Sequence, residues 1–133
     1  MSDNELEKTR LRKAEMLLKL HSMPNEIIII NSEDGFNTLL KDFPEKVVVI
    51  DFWAIWCAPC KVFTPIFERV YQEYSKEFIF IKVNIDETPS IARQFGITSI
   101  PTTLFIKGGE VLRKFVGIVS YEILKQILEK FKC

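Results

Sequence analysis

The sequence predicts an α/β protein with a mixed five-stranded sheet that is covered by helices on both faces. Short runs rich in isoleucine, valine and phenylalanine alternate with segments whose apolar residues recur every three or four positions. Alternating strands and helices of this kind are typical of parallel strands. The last two apolar runs are separated by Gly108-Gly109, which is typical of a hairpin between antiparallel strands. The sheet should therefore contain both kinds of pairing.

Composition indicates one globular domain without a charge bias. The chain has 133 residues, of which 47% are hydrophobic, and this length can bury a single sizeable core. Its lysines and arginines number 18 and its aspartates and glutamates also number 18, so no basic excess favours nucleic acid or an anionic membrane as a partner. Three cysteines are too few for the disulfide framework of a small secreted protein.

The apolar runs and the first twenty residues bear on location. No apolar run is long enough to span a bilayer. The first twenty residues mix acidic and basic side chains without a central apolar block, so we expect neither a secretory signal peptide nor a transit peptide. These observations favour the cytoplasm.

A separate segment precedes the α/β pattern. Residues 1–22 are predicted to form a helix with a narrow apolar stripe, ended by Met23-Pro24. We divide the chain into an N-terminal helical extension at residues 1–24 and a main domain at residues 25–133. The extension either packs on its own domain, which the narrow stripe favours, or serves docking or dimerisation. His21 is interpreted as a residue that favours the helix C-terminus, not as a ligand.

The main domain opens with a strand, a helix and a second strand. Residues 26–30 consist of Glu26 and four consecutive isoleucines, a short β-branched run that is typical of a buried strand. Ser32 then offers a helix cap, and Pro44 closes that helix. The core side of this helix is predicted to carry Phe36, Leu39, Leu40 and Phe43. Residues 46–53 begin with Lys46 and are then apolar on both faces apart from Asp51, which predicts a central strand.

A second helix and a third strand follow. The helix is predicted over residues 57–76 from its three- and four-residue apolar spacing, and the strand over residues 78–85. Thr88 is predicted to cap a short helix that begins at Pro89. Gly96 should close that helix, because glycine readily adopts the left-handed conformation found at helix ends.

The chain is predicted to end with a hairpin and a helix. A strand at residues 102–106 follows a proline, and a strand at residues 111–116 follows the diglycine turn. Ser120 is predicted to cap the last helix. The core side of that helix is predicted to carry Ile123, Leu124, Ile127, Leu128 and Phe131.

Two cysteines stand between the central strand and its following helix, in Trp56-Cys57-Ala58-Pro59-Cys60-Lys61. Cys57 would lie at the helix N-terminus, where unpaired N–H groups and the helix dipole stabilise a thiolate, the reactive form of cysteine. Cys60 would lie one turn further on, close enough for an S–S bond. Pro59 suits the first turn of a helix and stiffens the small ring. The pattern indicates a redox-active pair.

The alternative interpretation of a Cys-x-x-Cys pair is half of a structural zinc site. Such a site needs four ligands, and the rest of the chain offers only Cys133 and His21, near opposite ends. The strand–helix context and the missing ligands favour a redox pair that needs neither metal nor cofactor. Cys133 is interpreted as a free terminal thiol, with intermolecular pairing under oxidation as the alternative.

Asp51 interrupts the central apolar strand. A carboxylate inside such a strand is costly unless it is paired or protonated. In one interpretation, Asp51 lies at a strand end that reaches solvent. In the other, it is a buried acid under the cysteines, with a raised pKa, and it exchanges a proton with Cys60.

The segment from Phe52 to Lys61, Phe52-Trp53-Ala54-Ile55-Trp56-Cys57-Ala58-Pro59-Cys60-Lys61, resembles the active-site segment of the thioredoxin family in a WCAPC form. Further matches follow in order at Asp51, Pro65, Lys82-Val83-Asn84-Ile85-Asp86, Phe95-Gly96-Ile97, Ser99-Ile100-Pro101-Thr102 and Gly117. The resemblance covers about residues 25–131 and implies the thioredoxin fold. Ala58 stands where the family commonly has glycine, and Ile55 where it often has a polar residue. The N-terminal extension has no counterpart in the minimal fold.

The resemblance implies a role for individual residues. Cys57 would be the nucleophile and Cys60 the resolving cysteine. Asp51 would be a buried proton acceptor, as in the second interpretation above, and Lys82 its charge partner. The implied substrate-binding residues are Trp56, Ala58, Pro59, Ile100, Pro101 and Gly117. The Ile100-Pro101 bond would be the family's cis-proline bond, whereas the residues alone also fit an ordinary trans proline that opens a strand.

These roles predict a general cytoplasmic protein disulfide reductase that carries electrons through a Cys57–Cys60 dithiol/disulfide couple. Its partners would be a thioredoxin reductase-type electron donor and disulfide-containing protein substrates. We expect a monomer, with a dimer conceivable through the N-terminal helix or Cys133. A disulfide oxidant or isomerase of the same fold is the alternative, and a non-catalytic or zinc-binding module is a further one.

Overall fold

The computed structural model describes residues 23–132. The predicted helix over residues 1–22, with His21, and the terminal Cys133 lie outside the described residues, so the predictions made for them stay predictions. The elements in chain order are β1 (Ile28–Ile30), α1 (Glu33–Asp42), β2 (Val47–Trp53), α2 (Ala58–Tyr74), β3 (Ile79–Asn84), α3 (Pro89–Gln94), β4 (Thr102–Lys107), β5 (Glu110–Val116) and α4 (Tyr121–Phe131).

The strands form a mixed five-stranded sheet in the order β1-β3-β2-β4-β5. β3 pairs in parallel with β1 and with β2, whereas β4 pairs antiparallel with β2 and with β5. β2 is therefore central, as its apolar sequence predicts. Gly108 and Gly109 form the turn between β4 and β5 with φ of 57° and 82°, which glycine adopts without steric cost. The predicted mixed sheet is confirmed.

Helices cover both faces of the sheet. Alternate residues of each strand point to opposite faces, so each strand contributes side chains to both helix layers. One face of β2 packs against α1 and α3 through a cluster that includes Val48, Ile50, Phe52, Phe36, Leu39 and Ile91. The other face packs against α2 and α4 through a cluster that includes Val47, Val49, Phe63, Phe67, Leu124 and Leu128. Asp51 lies in β2 on this second face, the face covered by α2.

The side chains of two serines cap helices as predicted. Ser32 Oγ accepts a hydrogen bond from the Gly35 N–H at 3.0 Å, and Ser120 Oγ accepts one from the Ile123 N–H at 3.2 Å. Thr88 is the N-cap residue of the short helix as predicted, but its side chain makes no capping bond, since its hydroxyl donates to the Asn84 carbonyl oxygen at 2.9 Å. The short helix α3 nevertheless begins at Pro89.

Two predictions of burial need correction. The first strand begins at Ile28, not at residue 26, and Ile29 is 53% exposed. Within the described sheet, β1 has β3 as its single neighbour and lies at the edge, where a three-residue strand is covered incompletely. Ile123 is 44% exposed and lies off the core side of α4, which Leu124, Ile127 and Leu128 occupy.

Candidate active site

The cysteine pair closes the first turn of α2. Cys57 is the N-cap of this helix, with extended backbone dihedrals, and Pro59 stands within the first helical turn. Cys57 and Cys60 form a disulfide with their Cα atoms 5.3 Å apart. Both residues are buried and pack against Ala54 and Ile100. The structure thus places the pair at the predicted strand–helix junction.

The surroundings of Cys57 favour a negative charge on its sulfur. Cys57 Sγ accepts a hydrogen bond from the Cys60 N–H at 3.2 Å, which is one of the N–H groups left unpaired at a helix start. The helix dipole adds a partial positive charge at the same point. Once the disulfide is reduced, both effects stabilise the Cys57 thiolate over the thiol, and the thiolate is the nucleophile in disulfide exchange.

Ile100, one of the predicted substrate-binding residues, lies beside this sulfur. The Ile100 carbonyl oxygen lies 3.8 Å from Cys57 Sγ, and the Ile100–Pro101 peptide bond is cis, as the resemblance implies. The Gly117 N–H donates to the Pro101 carbonyl oxygen at 2.7 Å, which brings the end of β5 to the start of β4. Ala58 and Pro59 are exposed beside the disulfide.

Trp56 is the most prominent exposed side chain of this surface, at 68% exposure. It lines a cleft of about 300 Å³ together with Ile85, Ile97, Thr98, Ser99 and Ile100. Its indole Nε1 donates to Asp86 Oδ2 at 2.8 Å. Sequence reasoning assigned no role to Asp86, although this residue ends the segment that includes Lys82. The hydrogen bond restrains an otherwise free aromatic ring beside the cleft.

Asp51 is wholly buried in the central strand, so the interpretation as a solvent-reaching strand end is wrong. Neither carboxyl oxygen has a hydrogen-bond partner among the described residues, and the Lys82 ammonium lies 3.9 Å from Oδ2. Burial raises the pKa of Asp51 from its ordinary value of 3.8 to about 7, and the positive charge of Lys82 opposes part of that rise. At neutral pH this carboxyl can therefore either hold or release a proton.

Lys82 connects the buried acid to the turn that carries Cys60. Lys82 Nζ lies 3.5 Å from Thr64 Oγ1, and the Thr64 hydroxyl donates to the Cys60 carbonyl oxygen at 3.0 Å. The ammonium also lies 5.0 Å from the ring centre of Trp53, within cation–π range. A cavity of about 140 Å³ is lined by Trp53, Ala54, Ile55, Cys60, Lys61, Thr64 and Lys82. Cys60 and the charge partner of Asp51 thus share one cavity.

Replacing Asp51 with asparagine should stabilise the oxidised protein at alkaline pH. Between pH about 4 and about 7, the folded protein retains a proton on Asp51 that the unfolded chain has released, so stability falls as pH rises through this window. The difference between the folded and unfolded pKa values of Asp51 lowers the free energy of unfolding by about 4 kcal/mol at pH 8. Asparagine carries no charge, and Asp51→Asn should therefore gain a free energy of unfolding of this order at pH 8 and much less at pH 4.5.

Urea unfolding of both oxidised proteins at the two pH values measures this difference. The control is Glu68→Gln, which removes an exposed carboxylate from α2 and should change the unfolding free energy by less than about 0.5 kcal/mol at either pH. A gain for Asp51→Asn that is equal at pH 4.5 and pH 8 would contradict a raised pKa at this carboxyl.

Residues 23–132 also bear on metal binding and on membrane insertion. In this range, no group of three or more histidine, cysteine, aspartate or glutamate side chains could hold a metal ion. Within the same range, every helix is too short or too polar to cross a membrane.

A disulfide that closes the first turn of a helix over a mixed sheet makes this molecule a thiol–disulfide oxidoreductase. The family model described as thioredoxin matches residues 26–130. A thioredoxin from Chlorobaculum thiosulfatiphilum is 39% identical over 99 residues, which are 74% of this chain and 91% of that protein. The chain belongs to the thioredoxin family.

Other relatives and solved structures agree with this assignment. The chloroplastic M-type thioredoxin of Spinacia oleracea is 35% identical over 122 residues, which are 92% of this chain and 66% of that protein. The crystal structure of the reduced thioredoxin pre-protein of Schistosoma mansoni matches with a TM-score of 0.73 at 34% identity, covering 80% of this chain and 99% of that chain. The solution structure of oxidised thioredoxin from Plasmodium falciparum matches with a TM-score of 0.70 at 32% identity, covering 81% of this chain and 100% of that chain.

Proposed function

We propose that this protein is a general protein disulfide reductase. The observation that carries the proposal is the Cys57–Cys60 disulfide at the N-terminus of α2, where Cys60 shares a cavity with Lys82, the ion-pair partner of the buried Asp51 carboxyl. The first feature favours a nucleophilic thiolate, and the second offers an acceptor for the proton of the other thiol. The two features together fit the two steps of disulfide reduction.

In the first step, the Cys57 thiolate attacks one sulfur of a substrate disulfide. A bond forms between Cys57 Sγ and that sulfur, the substrate S–S bond breaks, and the other substrate sulfur leaves as a thiolate. The substrate docks on a surface formed by Trp56, Ala58, Pro59, Ile100, Pro101 and Gly117. The exposed indole offers apolar contact, and the Ile100 carbonyl beside Cys57 Sγ offers a backbone acceptor to an extended substrate segment.

In the second step, Cys60 resolves the mixed disulfide. Its thiol gives a proton to the Asp51 carboxylate, and the resulting thiolate attacks Cys57 Sγ. The Cys57–Cys60 disulfide re-forms and the second substrate thiolate leaves, so two electrons pass from the protein to the substrate. Lys82 stabilises the charged form of Asp51 before the transfer. A thioredoxin reductase-type electron donor then returns the pair to the dithiol.

We place this activity in a reducing compartment, the cytoplasm, with the protein acting as a monomer. The small number of cysteines supports this location, because it is unlike the framework of a secreted disulfide-rich domain. The relatives do not share one compartment, since three of them bear chloroplastic names.

Catalysed reduction of insulin by dithiothreitol tests the direction of the activity. The protein should accelerate the reduction of the interchain disulfides well above the rate with dithiothreitol alone, because its thiolate is a better nucleophile at neutral pH than an ordinary thiol. The complementary assay offers the oxidised protein to a reduced, unfolded substrate in a glutathione buffer. Faster substrate oxidation without accelerated insulin reduction would instead identify a disulfide oxidant or isomerase.

A further inference from the structure

Three polar residues form a row across the middle of the sheet, and one of them has no role so far. In the backbone register, Asp51 of β2 lies opposite Lys82 of β3 on one side and opposite Thr103 of β4 on the other. Side chains at directly opposed positions point to the same face of a sheet. These residues therefore lie side by side beneath α2. We call Lys82, Asp51 and Thr103 the polar row.

The polar row is unusual within its own face. The next row on this face consists of Phe80, Val49 and Phe105, all apolar and all buried. Lys82 is explained by its ion pair with Asp51. Thr103, in contrast, is wholly buried, and its hydroxyl has no hydrogen-bond partner among the described residues.

A buried hydroxyl without a partner is costly, and valine would fill the same space without that cost. The neighbouring Thr102 shows the ordinary solution, since its hydroxyl donates to the Ser99 carbonyl oxygen at 2.6 Å. An unsatisfied acceptor lies directly across the register from Thr103, because both oxygens of its cross-strand partner Asp51 also lack hydrogen bonds among the described residues. A change of rotamer exchanges the hydroxyl and the methyl group of a threonine and can aim the hydroxyl at such a neighbour.

We propose that Thr103 is a positioning residue whose hydroxyl donates a hydrogen bond to the Asp51 carboxylate whenever that carboxylate is charged. Asp51 is then held from both sides of its strand, by the Lys82 ammonium and by the Thr103 hydroxyl. This inference deepens the proposed function, because the stabilised form of Asp51 is the one that accepts the proton of Cys60. A hydroxyl that bonds the charged form keeps the acid competent as a base at lower pH.

The other groups around Asp51 leave this effect measurable. Lys82 is the charged group that faces the carboxyl from β3. Cys57, the N-cap of α2, and Cys60 in its first turn are the titratable groups of the redox pair. Beyond β4, the position opposite Thr103 is Phe115 of β5, which cannot titrate. In the oxidised protein the two cysteines are joined and do not titrate either. Asp51 can therefore be titrated there without interference from either thiol.

The test is a titration of the Asp51 side-chain carboxyl by ¹³C NMR in the oxidised protein. Thr103→Val keeps the shape of the side chain and removes the hydroxyl, and it should raise the pKa of Asp51 by at least about 0.5. Thr103→Ser keeps the hydroxyl and should stay within about 0.2 of the parent protein. Thr102→Val makes the same chemical change one residue earlier, on the opposite face of the sheet, and should also leave the pKa of Asp51 in place.

Two results would overturn the inference. One is a pKa of Asp51 that is unchanged or lower in Thr103→Val, and the other is a rise in Thr103→Ser as large as in Thr103→Val. If the valine variant folds poorly, the serine variant and Thr103→Ala give the same contrast. The titration needs no turnover, so it can fail or succeed independently of the reductase assay. Normal turnover by Asp51→Asn would instead count against the proposed proton transfer.

Discussion

Replacing Cys57 with serine is expected to abolish catalysed disulfide reduction, with a loss on the order of a thousandfold or more. The reason is that only the thiolate attacks a disulfide sulfur, and a serine hydroxyl does not ionise appreciably at neutral pH. The hydrogen bond from the Cys60 N–H and the helix dipole cannot compensate, because they stabilise a charge that serine does not develop. Insulin reduction at fixed dithiothreitol concentration measures the loss.

The matched control is Cys133→Ser, which makes the same change at the third cysteine of the sequence. This variant should reduce insulin at close to the parent rate. If Cys57→Ser kept more than about a tenth of the parent activity, the nucleophile would have to be another residue, and the first step proposed above would be wrong.

Replacing Cys60 with serine is expected to trap the protein on its substrate. Cys57 retains its position at the N-terminus of α2, so the first attack proceeds and a mixed disulfide forms. The resolving thiolate is absent, and turnover should fall by about a hundredfold or more because only external thiols can release the adduct. Mass spectrometry under non-reducing conditions should show one substrate chain per protein, released by dithiothreitol.

The control for trapping is the double variant Cys57→Ser/Cys60→Ser, which should form no adduct. Normal turnover by Cys60→Ser, with no adduct at any time, would contradict a resolving role. An adduct that forms through Cys60 in the Cys57→Ser variant would reverse the assignment of the two cysteines.

Much of the fold follows from residue types with a local meaning. The apolar run that contains Asp51 predicts a central strand, and the structure confirms it. The diglycine turn predicts a hairpin because glycine alone occupies positive φ at no cost, and Gly108 and Gly109 do so. The position of the cysteine pair at a helix start is similarly local, since it follows from the change of apolar spacing after the strand.

The errors arose where tertiary context decides. The isoleucines of β1 resemble those of a central strand, and only the strand order places them at the described edge. Thr88 has the side chain of a helix cap, but the nearby carbonyl of Asn84 takes its hydroxyl. Thr103 lies in an apolar run with nothing to distinguish it, because its partnership with Asp51 depends on the register between two strands some fifty residues apart. The sequence of either segment alone does not determine a register of this kind.

The reduction potential of the Cys57–Cys60 pair tests the central claim most directly. It is measured in Cys133→Ser by equilibration with glutathione buffers of known poise, so that the third thiol does not contribute. A protein disulfide reductase should give a value near about −270 mV, which is characteristic of thioredoxins. A value between roughly −120 and −180 mV would mean a disulfide oxidant or isomerase, and would contradict the proposed direction of electron flow while leaving the fold and the family intact.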